Sequence, residues 1–353
     1  MARGYRNYRG RTPVGKIVLA VLLVLVILAA LGALAMQRYI AYDENGNPFF
    51  RLPERQTDTP SPADAPPAEV PEDPDSLEVI VQEPEKPAVF QIYSLAAAPL
   101  TSADWESAKA AMGETFGGVA VTLRDDQGSV FFPSQVADEK AVQTVQGTTE
   151  TLTHITGEED VYVIARFSCL PDAFAPYTDN RPMGMKNKNG MMFHGAGTTW
   201  LDPGRPAARE YLCGLAREAA ELGFDEILLT DTGYPAEGDL DKLNYGSGSM
   251  EDNLALLWAD LRQALEPYGV KLSMELPEAV ISDGQEAVSG LTLAGAAAYA
   301  DRIYAVTAPG QAGILSSLVL QAEGEKLVQE FLPELTTPDP DWDGPFLLLP
   351  AEE

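Results

Sequence analysis

From Ala88 onward, short apolar runs alternate with longer amphipathic stretches, and that alternation limits the folds open to the chain. The runs are VFQIYSL (89–95), GVAVTL (118–123), VYVIARF (161–167), EILLTD (226–231), KLSMEL (271–276), RIYAV (302–306), KLVQEFL (326–332) and FLLL (346–349). Near-continuous apolar strands are those buried on both faces, as in parallel sheets. Between several of them lie helical patterns, over 102–112, 205–222 and 250–268. The second is the clearest. Pro206 suits a first turn, Ala208, Leu212, Leu215, Ala216 and Ala219 share one stripe, and Gly223 ends it. Eight strands with interleaved helices predict an α/β domain over 88–353, a (β/α)8 TIM-type barrel. It is expected to be irregular near its end, because 333–345 carries Pro and Asp and reads as loop. An open barrel or a doubly wound sheet is the alternative.

Residues 17–36 read IVLAVLLVLVILAALGALAM, 20 residues without a charge. At about 1.5 Å per residue that crosses roughly 30 Å of hydrocarbon. Arg3, Arg6, Arg9, Arg11 and Lys16 precede it, and Arg38 follows closely. The bias places a basic tail, 1–16, in the cytoplasm and everything after the helix outside. The rival is a cleaved signal peptide, with small residues at Ala33 and Ala35, but the run exceeds the roughly 7–15 residues usual there. A single-pass, uncleaved signal anchor in the cell membrane is therefore expected. Residues 37–87 are expected to be an extracytoplasmic linker, rich in Pro, Ala, Asp and Glu from 53 onward and disordered or extended.

The formal charge is −29, and no acid occurs before Tyr42, so the remainder is more acidic still. Such a surface repels nucleic acid, which is excluded as a partner. Cys169 and Cys213 have no zinc spacing and cannot build a disulfide scaffold; whether they pair is left open. His154 and His194 are the only histidines, and neither sits in a metal-binding spacing. No GxSxG elbow, P-loop or dinucleotide fingerprint is present. Neither a metal nor an organic cofactor is expected.

In a barrel the site lies at the carboxyl ends of the strands. Polar residues there are Arg124, Asp125 and Asp126 after the second run, Arg166 in the third, and Asp231 and Tyr234 after the fourth. Glu275 and Glu278 follow at the fifth, and Glu330 lies in the seventh. Asp231 closes an apolar strand, where an acid gains nothing from packing; its alternative role is capping a loop or pairing with Arg166. Glu275 ends KLSMEL in the same way. Two acids on neighbouring strand ends suit glycoside hydrolysis, in which one attacks the sugar and the other protonates the leaving oxygen.

The stretch WLDPGRPAAREYLCGLAREAAELGFDEILLTDTGYP (200–235) carries a fuller pattern. It resembles bacterial cell-surface proteins described as glycoside hydrolases, TIM barrels distantly similar to the α-amylase superfamily. The shared residues are Trp200, Asp202, Pro203, Gly223, Phe224, Asp225, Glu226, Ile227, Asp231, Tyr234 and Pro235, with weaker echoes at 118–132, 161–172 and 299–306. The resemblance implies Asp231 as nucleophile and Glu275 as acid/base. Trp200, Arg124, Arg166, Tyr234 and Asp202 are the candidate substrate-binding residues, and Trp200 could equally pack the barrel rim. There are departures. Gly233 stands where relatives carry Arg, Thr122-Leu123-Arg124-Asp125 replaces Asp-Val-Lys-Asp, and the sixth-strand motif is reduced to Tyr304-Ala305-Val306-Thr307-Ala308-Pro309. The expected function is a retaining, cell-surface glycoside hydrolase acting on an extracellular or cell-wall polysaccharide. The alternatives are a catalytically inactive barrel that binds glycan or protein, and a structural factor of the envelope.

Overall fold

The computed structural model describes residues 40–42, 48–50, 91–113, 117–177, 182–322, 328 and 330–350. The basic tail, the apolar run 17–36 and most of the expected linker lie outside them. Among the described residues no helix is long and apolar enough to cross a membrane. The chain divides into two units, Met1–Ile80 and Val81–Glu353. In the first, Ile40–Tyr42 pairs antiparallel with Pro48–Phe50, a short hairpin within the stretch expected to be linker.

The second unit is a closed barrel of eight strands, each parallel to its neighbours. They are β1 (Gln91–Ser94), β2 (Gly118–Arg124), β3 (Tyr162–Ser168), β4 (Glu226–Thr230), β5 (Lys271–Glu275), β6 (Arg302–Val306), β7 (Glu330–Leu335) and β8 (Phe346–Leu348). They follow one another in sequence order, and β8 closes onto β1 with Phe346 opposite Gln91. The (β/α)8 expectation is met, and the open and doubly wound alternatives are not.

Among the described residues the α-helices are α1 (Ser102–Met112), α2 (Thr148–Thr156), α3 (Pro206–Glu221), α4 (Met250–Leu265), α5 (Glu278–Asp283), α6 (Leu293–Ala297) and α7 (Ala312–Leu320). Local chemistry sets several ends. Thr101 and Asp104 form a capping box on α1, and the Ser249 hydroxyl accepts from the Asp252 N–H at the start of α4. Gly269, at φ +67°, closes the turn after α4 in a conformation that favours glycine. No helix joins β7 to β8, which matches the loop expected over 333–345. One strand boundary differs. The apolar run ends at 332, yet β7 continues through Pro333 to Leu335, with Ala305 opposite Pro333 and Val306 opposite Glu334.

Strand alternation divides the core in two. Outward residues such as Val121, Phe167, Leu229, Met274 and Phe331 pack beneath the helices. Inward residues Ile92, Ala120, Ile164, Leu228, Tyr304, Leu332 and Leu347 plug the interior. Below the plug, at the amino ends of the strands, Glu226 is fully buried. It accepts from Tyr162 Oη (2.8 Å), Tyr304 Oη (2.9 Å) and Arg302 Nη1 (2.7 Å). Above the plug, at the carboxyl ends, a second polar group is left facing outward.

Candidate active site

Three strands and one corner build that group. Arg166 and Ser168 point inward from β3, Glu275 from the end of β5 and Glu334 from β7, while Asp231 follows the last residue of β4. Arg166 forks between two acids, with Nη2 2.5 Å from Glu275 Oε2 and Nη1 2.7 Å from Glu334 Oε2. Glu334 is fully buried, whereas a quarter of the Glu275 side chain is exposed. Asp231 is exposed and takes its hydrogen bonds on Oδ2, from Ser168 Oγ (2.7 Å) and Thr230 Oγ1 (3.1 Å). Its backbone is left-handed, φ +50°, a conformation that Asp tolerates better than most side chains and that turns the carboxylate out of the strand.

The electrostatics bear on Glu275 and Arg166. Burial, then the neighbouring Glu334 charge, pushes Glu275 up to about 8, against the pull of Arg166; the Asp231 charge adds to the rise. Burial works against the charge on Arg166, but Glu334 and Glu275 outweigh it and raise that group. A carboxyl pushed up to about 8 thus shares the mouth with Asp231, whose Oδ2 accepts two hydrogen bonds. Such an arrangement can donate a proton on one side and stabilise or attack a positive centre on the other.

Arg166 and Glu275 are paired, and Asp231 lies close enough for its charge to act on both. The other four candidates lie elsewhere. Arg124 is fully buried. It pairs with Asp172 (2.6 Å) and donates to the carbonyls of Ser168, Cys169 and Pro171, so its donors hold the segment after β3 and none faces the mouth. Asp202 is buried and spent on Arg205 Nε (2.9 Å) and the Gly204 N–H (3.0 Å), which fastens the turn before α3. Burial raises it all the same. Trp200 is buried, with its indole N–H on the Gly195 carbonyl (2.9 Å), in the rim-packing role. Tyr234 is buried too, its hydroxyl accepting from Asn253 Nδ2 (3.1 Å), and burial pushes it up to about 12. Each of these four side chains is spent on neighbours within the fold.

Among the remaining polar residues, Glu330 sits at the opposite end of the barrel on Arg302 (2.9 Å), and Asp125 ties its own turn through the Gln127 and Ser129 N–H groups. Cys169 and Cys213 are both free and buried, and burial pushes the thiols up to about 12 and about 11. Among the described residues no group of His, Cys, Asp and Glu is arranged to hold a metal ion.

Two site residues are not evident in the sequence, Ser168 and Glu334. Glu334 is hidden because Pro333 reads as the start of a loop. A signal is nonetheless present in FLPEL: Leu335 restores the apolar run beyond the acid, which encloses Glu334 between apolar neighbours.

A closed parallel barrel that collects acids at the carboxyl ends of its strands has the layout of barrel proteins that work at that face. Residues 102–310 match the family described as "putative glycosyl hydrolase domain", and the chain belongs to that family. The match runs from α1 to just past β6, so Glu334 lies beyond it. No curated protein matches the chain. Among solved structures, a hypothetical protein from Ruminiclostridium thermocellum is 23% identical with a TM-score of 0.41, covering 49% of this chain and 91% of that one. The PgaB (BpsB) glycoside hydrolase domain from Bordetella bronchiseptica is 15% identical with a TM-score of 0.47, covering 70% and 84%. A chitinase from Chromobacterium violaceum is 14% identical with a TM-score of 0.39, covering 70% and 68%.

Proposed function

We propose that the barrel is a glycoside hydrolase in which Asp231 is the nucleophile and Glu275 the acid/base. One observation supports this reading: Glu275, which burial and the Glu334 charge push up to about 8, shares one barrel mouth with Asp231, whose Oδ2 is held by Ser168 and Thr230. In the first step Asp231 Oδ1, which takes no hydrogen bond among the described residues, attacks the anomeric carbon while Glu275 gives its proton to the departing glycosidic oxygen. A glycosyl ester on Asp231 results. Glu275, now a carboxylate, then takes a proton from water as that water displaces Asp231, and configuration is retained. The Ser168 and Thr230 hydroxyls fix Oδ2 and aim Oδ1.

The substrate class we propose is an extracellular or cell-wall polysaccharide. Support comes from the apolar run 17–36 and its basic flank, which would anchor the chain in the cell membrane with its N-terminus in the cytoplasm and the barrel outside. The likeness to α-amylase-type barrels, with the strand-four acid attacking, belongs to the same proposal.

The detergent-solubilised chain should release reducing sugar from at least one member of a panel of neutral and amino-sugar polysaccharides. Asp231→Asn and Glu275→Gln should each lower that rate by roughly a thousandfold or more. Undiminished activity in Asp231→Asn overturns the assignment. Saturable glycan binding with no turnover anywhere in the panel establishes the non-catalytic barrel instead.

A further inference from the structure

Two loops leave the carboxyl ends of β2 and β3, the end of the barrel on which Asp231 and Glu275 stand, and a cavity of about 250 Å³ opens between them. Asp138 and Lys140 line it from the first loop, and Ala173, Phe174 and Tyr177 from the second. Tyr177 is 54% exposed. Among the described residues the only other exposed aromatic side chain is Tyr268, at 37%, and its hydroxyl donates to Glu221 at 2.9 Å. An apolar ring kept in water forgoes the free energy of burial.

The turn that carries Tyr177 is nonetheless firmly built. Asp172 Oδ1 accepts from the Phe174 and Ala175 N–H groups at 2.7 Å each, and the Tyr177 N–H donates to the Phe174 carbonyl at 3.1 Å. Tyr177 Oη lies 3.3 Å from His194 Nε2, and the Ala173 N–H donates to the Gln127 carbonyl at 2.8 Å, which ties the turn to the loop after β2. Asp172 is itself fully buried against Arg124. A buried ion pair thus stands behind a ring that faces water, and such fixing lowers the ordering cost of binding.

A sugar ring has an apolar face of C–H groups and a rim of hydroxyls. It calls for a flat apolar surface with a hydrogen-bond donor and an acceptor beside it. The cavity holds all three. Tyr177 supplies the exposed ring. Lys140 is exposed and makes no ion pair among the described residues. Asp138 Oδ1 accepts the Lys140 N–H at 2.9 Å, and its Oδ2 takes no hydrogen bond among the described residues. One cation and one acid leave the cavity without net charge in a chain of −29, which favours an uncharged ligand. The volume falls below the roughly 300–1,000 Å³ of sites that enclose a whole ligand, and it suits one residue of a longer chain.

We propose that this cavity is an accessory saccharide subsite: it takes one uncharged sugar residue of a polysaccharide, stacked on Tyr177 and hydrogen-bonded by Lys140 and Asp138. None of these residues belongs to the Asp231–Glu275 pair, and binding here needs no turnover, so the subsite goes beyond the hydrolase reading. Arg124 then serves the sugar at one remove, through Asp172 and the turn that Asp172 holds.

The test is native affinity electrophoresis of the full chain in detergent, through gels containing in turn soluble starch, a mixed-linkage β-glucan, a galactomannan, glycol chitin and, as an anionic probe, polygalacturonate. At least one of the four uncharged polymers should retard the parent. On that polymer Tyr177→Ala should weaken the apparent affinity about threefold or more, and Tyr177→Phe, which keeps the ring, should stay within about twofold of the parent. Lys140→Met should weaken it about twofold or more. No retardation by any uncharged polymer, retardation by polygalacturonate alone, an unchanged Tyr177→Ala, or equal losses in Tyr177→Ala and Tyr177→Phe each overturn the proposal. If Tyr177→Ala does not fold, the decision passes to Lys140→Met, where undiminished affinity overturns it. Losses as expected with no glycan cleaved sink only the hydrolase, and cleavage with affinity untouched by these variants sinks only the subsite.

Discussion

Glu275 holds its proton more tightly in the folded chain than an exposed glutamate would, because burial and the Glu334 charge penalise its carboxylate. The folded value, about 8, lies above the ordinary 4.5, so folding is favoured by proton binding across that interval. The contribution is fully present below the unfolded value and is lost as the pH climbs through the folded one. Stability should therefore fall between about pH 5 and pH 8 in the parent, and the fall should be smaller in Glu275→Gln. Urea midpoints recorded at pH 5, 6.5 and 8 check this; equal slopes in the two proteins refute it. At this scale the sequence shows which acids end strands, hence Asp231 and Glu275, and it shows Arg166 within a strand. It does not show what a side chain spends its hydrogen bonds on. Arg124 and Asp202 look the same in sequence as residues free to meet a sugar, and only their three-dimensional neighbours, Asp172 and Arg205, reveal that their charges are already paired.

A fully buried ion pair helps to hold the segment after β3 to the barrel. Asp172 accepts from Arg124 at 2.6 Å, and its other oxygen accepts from the Phe174 and Ala175 N–H groups at 2.7 Å each. Both side chains are fully buried, so removing one charge strands the other. Asp172→Asn should cost about 3–5 kcal/mol of unfolding free energy, measured by chemical denaturation. A loss under about 1 kcal/mol would mean water reaches the pair. Elements in this chain are legible to different degrees. The helical patterns at 102–112, 205–222 and 250–268 stand within a few residues of α1, α3 and α4 because periodicity and end signals agree. The strand through Pro333 ends later than the sequence suggests, at Leu335 rather than 332, because proline normally interrupts a ladder. The Gly233 departure also has a local cause. A Cβ there would lie 2.9 Å from Leu291 and Ser289 side-chain atoms, so the space an arginine would need is already filled.

At the scale of the whole chain, the division at Ile80 and Val81 predicts that the barrel unit is self-sufficient. Residues 81–353 produced alone should unfold cooperatively, with Tm within about 3 °C of the full chain, as read by calorimetry. A lower or broadened transition would show that the first 80 residues stabilise the barrel. The fold class is legible at this scale because eight apolar runs with intervening helices admit few closures. The last sequential pair is the hardest part to foresee: β7 meets β8 at only two register positions, Glu334 with Leu347 and Leu335 with Leu348.

The left-handed corner at Asp231 has a further consequence. A side chain there sits against a local preference for none. Asp231→Gly should raise the unfolding free energy slightly, by up to about 1 kcal/mol, while abolishing any turnover. Under the proposed hydrolase reading, a descendant that lost the reaction would slide toward glycine at this one position.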